Sequence, residues 1–362
     1  MNDKYLYEIW LASCRGVSCR GRLLLMELFG GAEGVYNASS AELQQVADAY
    51  GDLISQGKGR PVFAHDLEYA RGAIKRADAC GAGILSINDA EYPEHLAGIP
   101  DPPTILYYKG DLSIVKEPGV AVVGTRRCSP YGRWVAGEIA KRIACCGVNV
   151  ISGMAEGIDS AGHKGCMAAG GKTAAVFGTG IDVCFPNSNA GLYAELQKNH
   201  LTISELAPGE RGAAWNFPQR NRIISGLSKD VIVVEGAIKS GSMITAGLAA
   251  EQGRGVFAVP GNINQPCSIG VNKLIMDGAT PIIDLDEVPE TLGIQERGKR
   301  KRAAALSPEE AKLLKIIKEN SGMQAELVVD KAGMSAPDCL ALISSLELKG
   351  LVNSEGRRLF PL

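Results

Sequence analysis

The chain has 362 residues, 46% of them hydrophobic and 22% charged, with a formal net charge of −2. That length holds two or three domains of ordinary globular composition, and no apolar run is long enough to span a bilayer. The near-neutral total excludes a uniformly basic nucleic-acid binder but hides a split: residues 1–117 carry net −5, 118–284 carry +3, 285–295 carry −3 and 296–362 carry +3, so a polyanion site has to be a local patch.

The N-terminus MNDKYLYEIW lacks a basic stretch followed by an apolar core, so the expectation is a cytoplasmic protein with no membrane segment. Residues 1–75 carry short amphipathic segments punctuated by Gly16, Gly21, Gly30-Gly31 and Ser39-Ser40. They read as a small helical-hairpin (SAM-like) module or as a helical cap with no function of its own. The ten cysteines form no CxxC pair and only four histidines are present, which favours free thiols over zinc; neither metal nor cofactor is expected.

Residues 76–285, with a core at 118–285, alternate apolar runs and helical patterns. The runs are Val120–Gly124, Val148–Ile151, Thr173–Phe177, Leu201–Ser204, Val231–Glu235, Val256–Pro260 and Pro281–Ile283. Over Arg133–Cys146, residues Val135, Ile139 and Ile143 share one helical face and Gly147 stands where a C-terminal cap belongs. The fold class expected is α/β: a Rossmann-like, mostly parallel sheet with an N-terminal helical module and a C-terminal winged helix.

In such sheets ligands bind beyond the carboxyl ends of the strands, and the loops there are rich in anion donors. Gly124-Thr125-Arg126-Arg127 follows the first run. It replaces the GxGxxG fingerprint with one glycine and two arginines, so side-chain charge takes over from bare backbone as the phosphate holder. Ser152, Gly153 and Gly157 follow the next run, with Asp159 suited to capping the following helix and Lys164 within reach of the same helix start; His163 reads as a core histidine. Phe217-Pro218-Gln219-Arg220-Asn221-Arg222 opens a further helix at Pro218, and its two guanidinium forks fit either a phosphate or carboxylate partners. Ser240, Gly241, Ser242 and Thr245 start another helix, and Asn262, Asn272 and Lys273 follow the sixth run. Of the aromatics near this rim, Tyr131, Phe185 and Phe217 read as core; Trp215, in a polar loop, is the best stacking platform.

Residues 286–305, with Arg297, Lys299, Arg300, Lys301 and Arg302, read as a basic linker. Residues 306–362 supply a helix-start signal at Ser307-Pro308-Glu309-Glu310, two further helices and a terminal hairpin, the make-up of a winged helix. Its third helix is poor in basic residues, so a protein contact is as good a reading as a DNA groove.

These motifs in this order resemble the DNA-processing protein A (DprA, or Smf) family. The matching text is YPEHL at 92–96, DPP at 101–103, GTRR at 124–127, SGMAEGID at 152–159, FGTGIDVCFP at 177–186, FPQRNRIISGLS at 217–228, KSGSMITA at 239–246, VFAVPGN at 256–262 and GVNKLI at 270–275. The departures are small: Gly236 stands where the family has Ala and Met243 where it has Leu. The resemblance implies a homodimeric single-stranded DNA-binding protein, without enzymatic activity, that protects incoming DNA in natural transformation and loads the RecA recombinase onto it. It also implies phosphate contacts at Arg126 and Lys164, and gives Arg220-Asn221-Arg222 as the family's RNR motif. The competing reading is a nucleotide-cleaving, phosphoribohydrolase-like enzyme using the strand-end Glu235; the PGG loop of those enzymes is missing here.

Overall fold

The pleat of one buried strand sets the layering of the larger unit. The strand Gly119–Val123 sends Val120 and Val122 to one face and Ala121 and Val123 to the other, and all four are buried. A strand buried on both faces reads in sequence as a continuous apolar run, which is why this one was legible. Each fully buried Val or Ile contributes roughly 1.5–3 kcal/mol. The computed structural model describes residues 3–14, 16–51, 63–294, 307–320, 322–348, 351–355 and 358–361.

Among the described residues the sheet has nine strands: β1 (Gly83–Ser86), β2 (Ile105–Gly110), β3 (Gly119–Val123), β4 (Val150–Ser152), β5 (Thr173–Phe177), β6 (Leu201–Ser204), β7 (Ser228–Val233), β8 (Gly255–Ala258) and β9 (Thr280–Pro281). Their order is β1-β2-β6-β5-β4-β3-β7-β8-β9. From β6 to β9 every pairing is parallel, while β1 with β2 and β2 with β6 are antiparallel. The chain winds outward from β3 to β6, then returns to lay β7 against β3. The strand order therefore reverses between β3 and β7, and the loops after these two strands diverge over a crevice.

Helices Pro130–Cys145 and Ile158–Ala168 cover one face. They approach closely because Gly165 packs on the backbone of Gly137, where a methyl group would not fit. Helices Asn216–Gly226 and Gly241–Glu251 lie over the other face, with Ile223, Ile224, Ala246 and Ala249 in the core. The N-terminal helices Leu6–Ser13, Cys19–Phe29, Ala32–Asn37 and Ser40–Ala49, together with Glu68–Cys80, bury Trp10, Leu11, Leu25, Val35 and Leu43. That cluster is continuous with Ile105 and Tyr107 of β2 and Ala175 and Phe177 of β5.

Residues 286–294 were expected to open the linker. Instead they carry a short helix, Val288–Thr291, whose Val288 packs with Leu292 into the core against Ile139 and Ile143, so the packed body continues past 286. Residues 295–306, the rest of the expected linker, lie outside the described residues.

The second unit holds three helices, Pro308–Glu319, Ala325–Ala332 and Ala336–Leu348, and a three-stranded antiparallel sheet of Met323–Gln324, Arg358–Pro361 and Val352–Glu355, in that order. Ser307 and Glu310 close a reciprocal capping box at its start, and Leu313, Ile317, Val328, Cys339, Ile343 and Leu359 form its own core. Among the described residues no helix is long and apolar enough to cross a membrane.

Candidate nucleic-acid interface

The loop after β3 is held by backbone groups and the Thr125 hydroxyl, which leaves the guanidinium donors of its arginines free. The Thr125 N–H donates to the Glu235 carbonyl at 2.8 Å, and the Arg127 N–H donates to Thr125 Oγ1 at 3.3 Å. Gly124 is pressed against Ile158 and the Glu235 backbone, so a Cβ there would collide. Arg126 and Arg127 are exposed. Glu235, just beyond β7, is buried. Its carboxylate accepts the N–H and hydroxyl of Ser129, whose Oγ in turn accepts the Gly132 N–H and caps helix Pro130–Cys145. Glu235 is therefore a brace between β7 and that helix.

The loop after β4 is tied from within. Ser152 Oγ donates to the Val122 carbonyl at 2.7 Å. Asp159 was expected to cap the next helix; it lies inside that helix and turns back, accepting the N–H groups of Gly153 and Ala155 at 3.1 and 3.3 Å. Burial raises its pKa, while Arg220 and these N–H groups pull it the other way. Gly157 sits at φ 80° with its Cα against the carbonyls of Thr125 and Arg126, a position only glycine fills without strain. His163 is buried, and its ring contacts Thr173 Oγ1 at 2.7 Å. That hydroxyl spends its proton on the Val150 carbonyl, so the imidazole Nδ1 donates. Burial, with lesser contributions from His200 and Arg220, lowers the His163 pKa to about 3.

The helix carrying Arg220-Asn221-Arg222 begins at Asn216, two residues before Pro218, which occupies its first turn. All three motif residues are buried. Arg220 Nη1 donates to the carbonyls of Gly153 (2.9 Å) and Val176, and Nε donates to Asn221 Oδ1. Burial lowers the Arg220 pKa to about 10, against the opposing charge of Asp159. Asn221 Nδ2 donates to the Gly241 carbonyl at 3.2 Å. Arg222 binds Asp101 at 3.0 Å and Glu205 at 2.7 and 2.9 Å, beside the Cys19 thiol at 3.5 Å. Burial works against its charge, but Glu205, Cys19 and Asp101 outweigh it and the pKa is raised overall. Arg222 faces a separate cavity of about 490 Å³, where its forks meet carboxylates.

Over the β3/β7 crevice lies a cavity of about 810 Å³. It brings together ten of the candidates: Gly124, Thr125, Arg126, Arg127, Arg220, Asn221, Ser240, Gly241, Ser242 and Thr245. Ser240 precedes helix Gly241–Glu251 without a side-chain cap and shares a 2.7 Å hydrogen bond with Ser242, so first-turn N–H groups stay available for an anion. The charged lining is three arginines against one buried carboxylate, Asp159. Gly153 lines an adjoining pocket of about 120 Å³ with Arg126, Phe185, Phe217 and Arg220.

Two rings that the sequence reading took for core stand in this wall. Phe185 is 46% exposed, its centroid lies 5.2 Å from that of Phe217, and the Arg126 guanidinium lies 5.3 Å from the Phe217 centroid. The signal for them was present in that each phenylalanine adjoins a proline, a poor place for a helix-core side chain.

The remaining candidates are placed elsewhere. Ser152 is fully buried, and Gly157 supports the arginine loop from behind. Lys164 is exposed on helix Ile158–Ala168 and is not part of the cavity wall. Asn262 is exposed on the loop after β8, Asn272 exchanges hydrogen bonds with the Gly261 backbone, and Lys273 pairs with Asp277 at 3.3 Å.

A doubly wound sheet whose switch point is walled by arginines, a helix N-terminus and aromatic rings defines a Rossmann-like protein with its anion donors gathered in one cavity. The family model for DNA recombination-mediator protein A matches residues 83–293. The chain is 46% identical over 195 residues to the DNA processing protein DprA of Streptococcus pneumoniae, covering 54% of this chain and 69% of that one. It is 36% identical over 278 residues to the protein Smf of Escherichia coli, covering 74% of each. The X-ray structure of the Streptococcus pneumoniae DprA aligns with TM-score 0.64 at 33% identity over 78% of this chain and 96% of that one. The Helicobacter pylori DNA processing protein A, whose structure concerns its single-stranded DNA binding mode, aligns with TM-score 0.54 at 30% identity over 58% and 95%. The chain belongs to the DNA recombination-mediator protein A family.

Proposed function

We propose that this protein binds single-stranded DNA in the cavity at the β3/β7 switch point. The observation that carries the reading is the Arg126 guanidinium over the Phe217 ring, itself packed on Phe185, beside the free helix start at Gly241. Phosphate contact by arginine and backbone N–H is indifferent to sequence, and ring faces accept any base; together they suit a single strand. A duplex keeps its bases stacked inside, away from such rings. The Helicobacter pylori relative supports the same ligand class.

On this reading the protein protects incoming DNA in natural transformation and loads RecA recombinase onto it as a homodimer. Support for a subunit contact lies in Ile269 and Met276, exposed on helix Pro266–Met276, and in Ile283, exposed beyond the edge strand β9. Lys164 and Lys273, outside the cavity, serve as outlying phosphate contacts. The C-terminal unit acts as a winged helix that docks protein. The engagement of Glu235 by Ser129 as a brace supports a binding protein over a nucleotide-cleaving enzyme.

A gel-shift titration of single-stranded against duplex DNA at several salt concentrations tests the assignment. Tight, salt-dependent binding to single strands and much weaker binding to duplex is expected. Equal affinity for both forms, or no binding, sinks it. Release of free base from nucleoside monophosphates, abolished by Glu235→Gln, would overturn the non-enzymatic reading.

A further inference from the structure

Two patches of exposed aromatic surface lie outside the cavity lining, and they differ in charge. In one, Tyr131 and Trp134 (54% and 56% exposed, centroids 6.4 Å apart) share a groove of about 460 Å³ with Ile283, Asp284 and Asp286. The arginine there, Arg142, is engaged by Glu138 at 2.6 Å and Asp286 at 2.8 Å, so a phosphate entering this groove meets carboxylates.

The other patch belongs to the loop from Gly209 to Trp215. Gly212 is seated on the Gly178 backbone, and Gly212 and Ala214 line the cavity. Between and beyond them, Arg211 is exposed and Trp215 is 69% exposed. The neighbouring acids are held in place by neutral donors: Glu210 accepts the Tyr69 hydroxyl and Asp182 accepts the Gly209 N–H at 2.6 Å. The loop is pinned, with the Gly180 N–H donating to the Glu210 carbonyl at 2.8 Å and the Ala213 N–H to Asn216 Oδ1 at 3.1 Å. An indole held in water on a fixed loop, two residues from the cavity ring Phe217, forgoes burial that a tryptophan elsewhere would gain.

We propose that Trp215 and Arg211 form a second nucleotide step outside the cavity, where the base of the strand leaving the cavity stacks on the indole and its phosphate is met by the guanidinium. This step rests on the cavity being a single-stranded DNA site. It routes the strand leaving the cavity across the Gly209–Trp215 loop and not along the acidic groove at Tyr131 and Trp134.

The test uses the full chain with Trp134→Phe, so that Trp215 is the one exposed tryptophan, Trp10 being only 2% exposed. Oligothymidylates of about four and about fifteen nucleotides are titrated while indole emission and affinity are read, the shorter filling the cavity and the longer reaching the loop. The expected result is quenching by the longer strand only. Trp215→Ala lowers affinity for the longer strand roughly tenfold and leaves the shorter unchanged, while Trp215→Phe restores most of the loss. Arg211→Ala lowers the salt slope by about one for the longer strand alone. Equal losses on both lengths would mark a loop-folding effect and overturn the step, as would unchanged affinity and emission. Binding that is lost in Arg126→Ala but untouched by Trp215→Ala overturns the step and leaves the cavity reading standing; no binding by the unsubstituted protein overturns both.

Discussion

The arginine pair after β3 and the arginine pair in helix Asn216–Gly226 look interchangeable in sequence, each a basic doublet at a glycine- or proline-marked helix approach. In the fold they have opposite fates. Arg126 and Arg127 project from a loop held by backbone groups and the Thr125 hydroxyl, so their guanidinium donors are uncommitted. Arg220 and Arg222 are buried and commit their donors to Gly153, Val176, Asp101 and Glu205. A cation serves as a ligand site when something else holds the chain in place; when it holds the chain itself, it has little left to offer.

The largest effect follows from the bracing pair. Arg222→Ala strips the counter-charge from Asp101 and Glu205, and breaking such a buried pair costs about 3 kcal/mol, near the low end because both carboxylates are partly exposed. Urea unfolding should show that loss, and the surviving folded protein should bind DNA nearly as before. A large drop in DNA affinity without a stability change would break the comparison.

His163 gives the next effect, as a buried base kept neutral rather than paired. Its pKa of about 3 in the fold lies below the usual 6.5, so the unfolded chain takes up a proton that the folded chain refuses. The stability it confers is full above pH 6.5 and is lost as the pH falls toward 3, amounting to roughly 2 kcal/mol by pH 5. His163→Gln should flatten the pH dependence of the urea midpoint between pH 6.5 and 5, and an unchanged slope would refute the assignment.

The open pair gives smaller effects and leaves stability alone. Arg126→Ala loses a phosphate donor and the cation over Phe217, so affinity for single-stranded DNA should fall about tenfold with a salt slope shallower by about one. Arg127→Ala, without a ring contact, should fall roughly threefold. Loss of thermal stability in either variant would place them with the bracing pair.

The central strands were legible because burial on both faces writes itself as unbroken apolar runs, as in Thr173–Phe177 and Leu201–Ser204, where the expected and observed bounds coincide. The antiparallel edge pair β1 and β2 was not read as strands: GILS is short and ILYYKG ends in polar residues, and their pairing depends on contacts across the sheet. At the site, the loops were legible from glycine and hydroxyl spacing, since backbone conformation is local. The partners of Arg222 were not, because Cys19, Asp101 and Glu205 come from three distant stretches. The pairing of Phe185 and Phe217 likewise depends on a loop meeting the start of a distant helix.

The helix start at Gly241 has a consequence for how the site would look to a mutational scan. Its anion donors are main-chain N–H groups, which every residue but proline carries, and a methyl group added at Gly241 meets nothing within 4 Å. Alanine at Gly241 would pass as silent, and on the proposed reading the position would be scored as unimportant while its N–H still met the ligand. A backbone-lined floor hides its contribution from side-chain replacement, and only proline, or replacement of the amide by an ester, would reveal it.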